Sequence, residues 1–402
     1  MRILVISQYF WPENFKINDL CIGLKERGHE VLVLTGKPNY PVGSFNKGYT
    51  FFNKSTENWN GIKIYRSNLI TRGKGSGVRL FANYFSFAFF ASLRVLFIKN
   101  KFDKIFVYQP SPVTVGFPGI VAKLKFKAPM FFWVQDLWPE SITAAGGIKN
   151  KYVLRIMNVI TMYIYNRSEK ILVPSKSFIP YILNQRIDEK KLVYFPNSTE
   201  SYYAPISREV NYNLNLPEGK KILFAGNIGE SQSFDTLIDA ALILKNKNIK
   251  VNWIIIGEGR MKEYVINRVK NLKLENYFHL LGQFPSTDMP KFFNCADALL
   301  VSLKKDSIFA LTIPSKIQSY MASAKPIIAC LDGEGSKIVE EANAGFTCPA
   351  EDANALSDLI LKFYNLDDKE RVKLGLNGRK YFEQEFEREL LLTKLESILN
   401  NN

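Results

Sequence analysis

A chain of 402 residues is too long for one ordinary hydrophobic core and favours two domains of roughly 150 to 200 residues. Hydrophobic residues make up 47% and charged residues 23%, with no low-complexity tract, which excludes a disordered chain. The net charge of +15 sits in the first half: residues 1–200 hold 28 Lys+Arg against 12 Asp+Glu, and residues 201–402 hold 25 against 26. Such a field suits an anionic membrane surface or nucleic acid. No RNA- or DNA-binding motif accompanies it, so the expected partner is the membrane and not nucleic acid.

Cys21, Cys295, Cys330 and Cys348 are far apart, with no C-x-x-C pair and no histidine at ligand spacing. Neither a zinc site nor a disulfide framework is suggested, and a reducing cytoplasm fits. Short runs rich in Val, Ile and Phe alternate with longer amphipathic stretches, the pattern of parallel sheets covered by helices on both faces. The first strand is expected from Ile3 to Ser7, where Gln8 and Trp11-Pro12-Glu13 cut the apolar run too short for a signal peptide. Further strands are expected at residues 31–35, 62–66, 104–108, 130–134 and 170–174.

Arg72 to Arg79, a basic stretch, precedes the apolar residues 80–98, whose Asn83 and Arg94 argue against spanning a bilayer. A helix lying at an anionic surface and a buried domain helix both remain open. Asp136 follows the strand at 130–134, so it stands at a strand carboxyl end where an acceptor hydroxyl could meet it; capping of the next helix is the alternative. His29 and His279 are the only histidines and both read as structural.

Residues 199–219, rich in Asn, Tyr, Ser and Pro, read as a linker between an N-terminal domain, 1–198, and a C-terminal domain, 220–385. Residues 386–402 form a last helix able to pack back on the N-terminal domain. Strands in the second half are expected at 222–225, 251–256, 278–281, 298–302, 327–330 and 345–348. Gly226-Asn227-Ile228-Gly229 ends the first of these and Gly257-Glu258-Gly259-Arg260 ends the second, glycine turns in which backbone N–H groups can approach an anion. The third glycine of a dinucleotide fingerprint is missing, which makes an NAD enzyme a poor reading. Pro314-Ser315 opens a helix with Lys316 in its first turn, where a cation is disfavoured by the helix dipole unless it faces a bound anion.

Gly226 to Glu230, Gly257 to Arg260, Pro314 to Ala322 and Lys325-Pro326-Ile327-Ile328 stand in the order seen in retaining glycosyltransferases of the GT-B fold, family 4. Residues 8–13, 27–31, 36–41 and 135–140 are similar to the capsule and O-antigen branch, which includes L-fucosamine transferases. The resemblance covers nearly the whole chain. It implies an α/β protein of two Rossmann-like, doubly wound domains facing across a cleft. It also implies retaining transfer from a UDP-sugar, such as UDP-N-acetyl-L-fucosamine, to an undecaprenyl-diphosphate-linked saccharide. The enzyme would be cytoplasmic and peripheral on the inner face of the plasma membrane, with no cofactor and no metal.

Two glutamates with seven residues between them hold donor sugar and ribose in that family; here Leu311 and Ser319 take their places, and Asn227 and Gln232 replace the usual Arg and Lys of the glycine turn. The diphosphate is then left to Arg260 and Lys316, with Gly226, Asn227, Gly229 and Ser315 completing its cradle and Gln283, Gln318 and Ser319 toward sugar, ribose and base. Gln135 stands where many relatives carry a histidine and shares a catalytic role with Asp136; Glu140 is the second choice and Trp138 shapes the acceptor pocket. Glu13, Asn14 and Lys16 belong to the loop expected over the donor phosphates, with Glu13, a further catalytic candidate, and Lys16 expected to contact sugar or acceptor. A UDP-sugar epimerase and a catalytically silent sugar-nucleotide-binding partner are the rival readings.

Overall fold

The computed structural model describes residues 1–73, 77–141, 150–207 and 214–401. They divide into two compact units, Met1–Pro196 with Leu392–Asn402, and Asn197–Leu391.

The first unit is built on eight strands: β1 (Arg2–Ser7), β2 (Glu30–Gly36), β3 (Thr56–Trp59), β4 (Ile62–Ser67), β5 (Lys104–Gln109), β6 (Met130–Val134), β7 (Lys170–Val173) and β8 (Leu192–Tyr194). Their order in the sheet is β3-β4-β2-β1-β5-β6-β7-β8, parallel except for the β3–β4 pair. β1 lies between β2 and β5, with Val5 opposite Val33 on one side and Phe106 on the other. Every residue of β5 and β6 is buried, as the unbroken apolar runs require of strands covered on both faces. All six expected strands are present. The edge strands β3 and β8 escape sequence reading because one is polar, Thr-Glu-Asn-Trp, and the other has three residues.

The second unit repeats the design with β9 (Lys221–Ala225), β10 (Asn252–Ile256), β11 (Phe278–Gly282), β12 (Ala298–Ser302), β13 (Ile327–Cys330) and β14 (Gly345–Cys348), in the order β11-β10-β9-β12-β13-β14. Side chains alternate between two cores: Ile222, Phe224, Trp253 and Ile255 pack on one face, and Leu223, Ile254 and Ile256 on the other. Each sheet reverses its strand order once, between β1 and β5 and between β9 and β12. Crossovers leave such neighbouring strands toward opposite faces, and the carboxyl-end loops part there to leave a ligand crevice.

The helix Arg388–Asn400 belongs with the first unit from Leu392 onward. Its Leu395 and Leu399 are buried, and Glu396 accepts from the Arg27 guanidinium at 2.7 Å and meets His29 Nε2 at 2.7 Å. His29 thereby has a structural task at the end of the sheet remote from the strand carboxyl ends. His279 meets the Asn252 amide oxygen at 3.2 Å between β11 and β10.

Leu300, wholly buried in the middle of β12, tests the core directly. Leu300→Ala is expected to cost about 2–5 kcal/mol, measured as a fall in the urea midpoint for the second unit. Ile266→Ala, at a 42% exposed position, should stay within about 0.5 kcal/mol of wild type. Equal midpoints for the two variants would contradict this core.

Candidate active site

The carboxyl end of β9 turns through Gly226, whose φ of +146° is open only to glycine. A Cβ at Gly226 would lie 2.6 Å from Lys316 Cε, so the missing side chain makes room for the lysine. Lys316 is the second residue of the helix Ser315–Ala322, and its ammonium donates to Gln232 Oε1 and lies 3.6 Å from the Phe224 ring centroid. Burial pushes its pKa well below the ordinary lysine range. A second glycine, Gly257 with φ +147°, packs so tightly on the first turn that a Cβ would collide with the Gly226 carbonyl oxygen.

Backbone donors in the glycine turn divide into committed and open ones. Gly226 N–H donates to Ile256 O and Ile228 N–H to Glu258 O, both at 2.8 Å. The expectation that Gly226 lends an N–H to an anion is therefore corrected: its contribution is space. Asn227 and Gly229 N–H groups have no acceptor among the described residues. Arg260 is exposed and its charge acts on Glu230, which Lys304 also holds at 2.8 Å. Lys304, just beyond β12 at the point of strand reversal, was not picked out by motif.

Other donor-side expectations are altered by packing. Gln318 is 2% exposed and its amide donates to Asn197 O at 2.7 Å, so it fastens the chain entering this unit and does not face a ligand. Ser319 Oγ donates back to Ser315 O at 3.0 Å, as mid-helix serines do. Ser315 and Gln283 are exposed. Lys325 is buried and donates to Asn294 O and Ala296 O, closing the carboxyl end of the helix Met289–Cys295.

In the first unit, the loops after β1, β2 and β4 gather a buried polar network. Glu13 Oε1 accepts from the Asn39 and Tyr40 N–H groups, each at 2.7 Å, while Oε2 is buried with no partner. Burial outweighs those donors and pushes its pKa up to about 7. Glu13 thus braces one loop against another instead of presenting its carboxyl to solvent, which corrects its reading as a sugar or acceptor contact. Asn14 is exposed, and Lys16 begins the helix Lys16–Glu26. Gln8 Nε2 donates to Asn83 Oδ1 at 2.7 Å, and Asn83 Nδ2 to Ile70 O at 2.6 Å.

Asp136 stands two residues beyond β6, and among the described residues no donor reaches its carboxylate. Burial pushes its pKa up to about 7. The helix-capping alternative finds no support, since among the described residues no backbone N–H after it donates to this carboxyl. Gln135 N–H donates to Gln109 O at 3.0 Å, which ties the loop to β5. Glu140 pairs with the Tyr181 phenol, and its Oε2 is buried without a partner among the described residues. Trp138 is buried, edge-on to Tyr84 at 6.0 Å, with an unpartnered indole N–H.

The apolar stretch forms the helix Gly77–Phe97, with Asn83, Phe87, Ala88, Ala91 and Val95 buried on one side. Phe85, Phe89, Leu93 and Leu96 are exposed on another, Phe89 by 60%. The helix is thus packed into the domain along one face and leaves an apolar stripe exposed along another. It is long and apolar enough to cross a membrane by composition, with a third of its window buried in the protein. Of its expected basic flank, Arg72 turns toward Tyr9 and Tyr40, Arg79 is exposed and donates to Thr71, and Lys74 lies outside the described residues.

Two family models match consecutive parts of the chain, a glycosyl transferase 4-like domain over residues 16–198 and glycosyl transferases group 1 over residues 208–381. The protein is a glycosyltransferase of the GT-B fold. It is 28% identical to the "Probable glycosyltransferase WbjE" of Pseudomonas aeruginosa over 71% of each chain. Identity is 22% to the capsular polysaccharide biosynthesis glycosyltransferase CapM of Staphylococcus aureus, over 77% of this chain and 80% of that one. Among solved structures, HepE of Anabaena in complex with UDP superposes with a TM-score of 0.73 at 15% identity, over the full length of both chains.

In this glycosyltransferase the two positions aligned with the family glutamates hold Leu311, in a short 3-10 turn, and the back-bonded Ser319. A pH experiment addresses its unpaired acid. A carboxyl held at about 7 in the fold and near 3.8 when unfolded contributes stability that is complete below the lower value and is lost as pH rises through the upper one. Asp136→Asn should therefore melt at a higher temperature than wild type at about pH 8 and at the same temperature near pH 4. Equal melting at pH 8 would show that the fold does not raise the pKa of Asp136.

Proposed function

We propose that the protein carries a sugar from a UDP-sugar to a lipid-linked saccharide, with retention at the anomeric carbon, in the synthesis of a surface polysaccharide. The observation that carries the donor half is the Lys316 ammonium, buried beside a glycine turn whose Asn227 and Gly229 N–H groups are open. A diphosphate there accepts from Lys316 and from those N–H groups, with Arg260 and Lys304 adding charge at the rim. Gln232 gives up the ammonium when the anion arrives. HepE, a fold neighbour, binds UDP in its crystal structure, which supports a uridine nucleotide.

The chemistry follows from charge. As the bond between the anomeric carbon and the phosphate oxygen breaks, negative charge grows on the leaving diphosphate, and a cation already in place stabilises it. The acceptor oxygen forms the new bond on the same face, and its proton passes to the departing phosphate or to a nearby carboxylate. Asp136, with a pKa near 7, has the affinity for a proton that such a base needs at neutral pH. N-acetyl-L-fucosamine, or a related N-acetylated deoxyhexosamine, is the donor sugar the resemblance places first. No divalent ion is needed in this scheme, since the protein's own cations meet the diphosphate.

The acceptor half rests on the apolar stripe of Gly77–Phe97 and on a second one along the helix Lys151–Arg167, where Tyr152, Ile156, Val159 and Tyr163 are exposed at helical spacing. Lys151 and Arg167 flank the second stripe at its two ends, as suits an anionic surface. CapM, named for capsular polysaccharide biosynthesis, supports the pathway class.

Calorimetry with UDP tests the donor site: Lys316→Ala should weaken binding by at least about tenfold, the loss of one charge-assisted hydrogen bond. Unchanged affinity would remove Lys316 from the site. Transfer of labelled sugar by the wild type, and no altered sugar after incubation with donor alone, separates transfer from epimerisation. On the membrane side, Phe89→Glu should lower co-sedimentation with phosphatidylglycerol vesicles several-fold and leave UDP affinity unchanged; equal co-sedimentation would discard the stripe as a docking surface.

A further inference from the structure

Two arginines near the carboxyl edge of the first sheet are treated differently by the fold. Arg66 is 2% exposed and wholly engaged, pairing with Glu57 and donating to the Gly36 and Trp11 carbonyl oxygens. Arg72 is partly exposed and forms no salt bridge among the described residues. Its guanidinium lies 4.8 Å from the Tyr40 ring centroid and NH1 sits 3.4 Å from the Tyr9 phenol oxygen. Its backbone N–H donates to Asn39 Oδ1 at 3.2 Å, and Asn39 is wholly buried. The arginine is thus aimed by a rigid loop and an aromatic face, with its charge uncompensated.

Its surroundings are donors. Tyr84, on the helix Gly77–Phe97, lies within electrostatic reach of both Arg72 and Asp136 and hydrogen-bonds Ser111. Tyr9 lies within reach of Tyr84 and Arg72. Burial raises the pKa of both phenols, so they keep their protons. Ser111 follows β5, so it stands with Tyr9 at the reversal between β1 and β5, where an open parallel sheet takes its ligand. A planar guanidinium with hydroxyl donors beside it matches the oxygens of a phosphate.

We propose that Arg72, with Tyr84 and Ser111, forms a binding site for the diphosphate of a lipid-linked acceptor. The assignment rests on the lipid-linked acceptor reading above and names the group of that acceptor which the protein grips. The same helix supplies the rest of the logic: Tyr84 projects toward Arg72 and Asp136, whereas Phe85, Phe89 and Leu96 are exposed to the surroundings. A prenyl chain held in a membrane by that stripe delivers its headgroup phosphates to the neighbouring arginine. Asp136 then sits near the phosphate-linked sugar, the part of the acceptor that carries the reacting hydroxyl.

The probe is farnesyl diphosphate, titrated calorimetrically into the full chain saturated with UDP so that the donor site is filled. Wild type should bind it; Arg72→Ala should weaken binding at least tenfold, Arg72→Gln similarly with the loop length and polarity kept, and Tyr84→Phe by a smaller factor. UDP affinity should be unchanged in all three variants, which also verifies their folding. Farnesol should show no dependence on residue 72, and inorganic pyrophosphate should bind weakly but with the same dependence, separating phosphate recognition from lipid contact. No wild-type binding of farnesyl diphosphate, or equal binding by the Arg72 variants, overturns the site. If the wild type fails to bind UDP, the donor reading fails instead, and the same titration without UDP still decides Arg72.

Discussion

A parallel sheet cannot be joined by tight turns, so each strand is followed by a crossover, and the hand of the crossover forces the strand order to reverse where the chain begins to wind the other way. Both units obey this constraint, β1 beside β5 and β9 beside β12. Almost everything chemically distinctive follows from it. Gly226, Ser302 and Lys304 meet at one reversal, where Ser302 Oγ donates to Gln232 O and Lys304 N–H to Ser231 O. Gln8, Tyr9, Gln109 and Ser111 meet at the other. The interiors of β1, β9 and β12 are apolar, so their polar side chains gather at the ends.

Local packing then decides which polar groups remain available. Arg66, Lys37, Lys325, Gln318 and Glu13 are all charged or polar residues that a motif search would treat as candidates, yet each is spent on backbone groups of its own unit. Burying them without those partners would cost more than their contacts return. Lys316, Arg72 and Asp136 differ in having positions fixed by neighbours that do not neutralise them. A position fixed without neutralisation is what separates a binding group from a structural one.

The fold was largely legible. Runs such as Ile3-Leu4-Val5-Ile6 and Met130-Phe131-Phe132-Trp133 can only be strands buried on both faces, and the alternation with helices dictates the parallel order. The edge strands of the first sheet were not legible, because Thr56–Trp59 is set by pairing with β4 and not by its own pattern. At the site, Lys316 and Asp136 could be found from their places beside a helix start and a strand end. Arg72 could not: its role depends on Asn39, Tyr40, Tyr9 and Tyr84, which lie far from one another along the chain. The free N–H groups of Asn227 and Gly229, as against the occupied one of Gly226, depend on pairing with the next strand's turn and leave no trace in composition.

The lysine over Gly226 has a thermodynamic consequence of its own. An ammonium whose pKa is pushed down by burial surrenders part of its affinity for hydrogen ions while the pocket is empty. An arriving anion restores that affinity, so the affinity for the ligand and the lysine's hold on its hydrogen ion are linked. At a pH where the empty pocket holds the neutral amine, the heat released on association includes the ionisation enthalpy of whatever buffer gives up that ion. The lysine and its ligand therefore stabilise each other's charge.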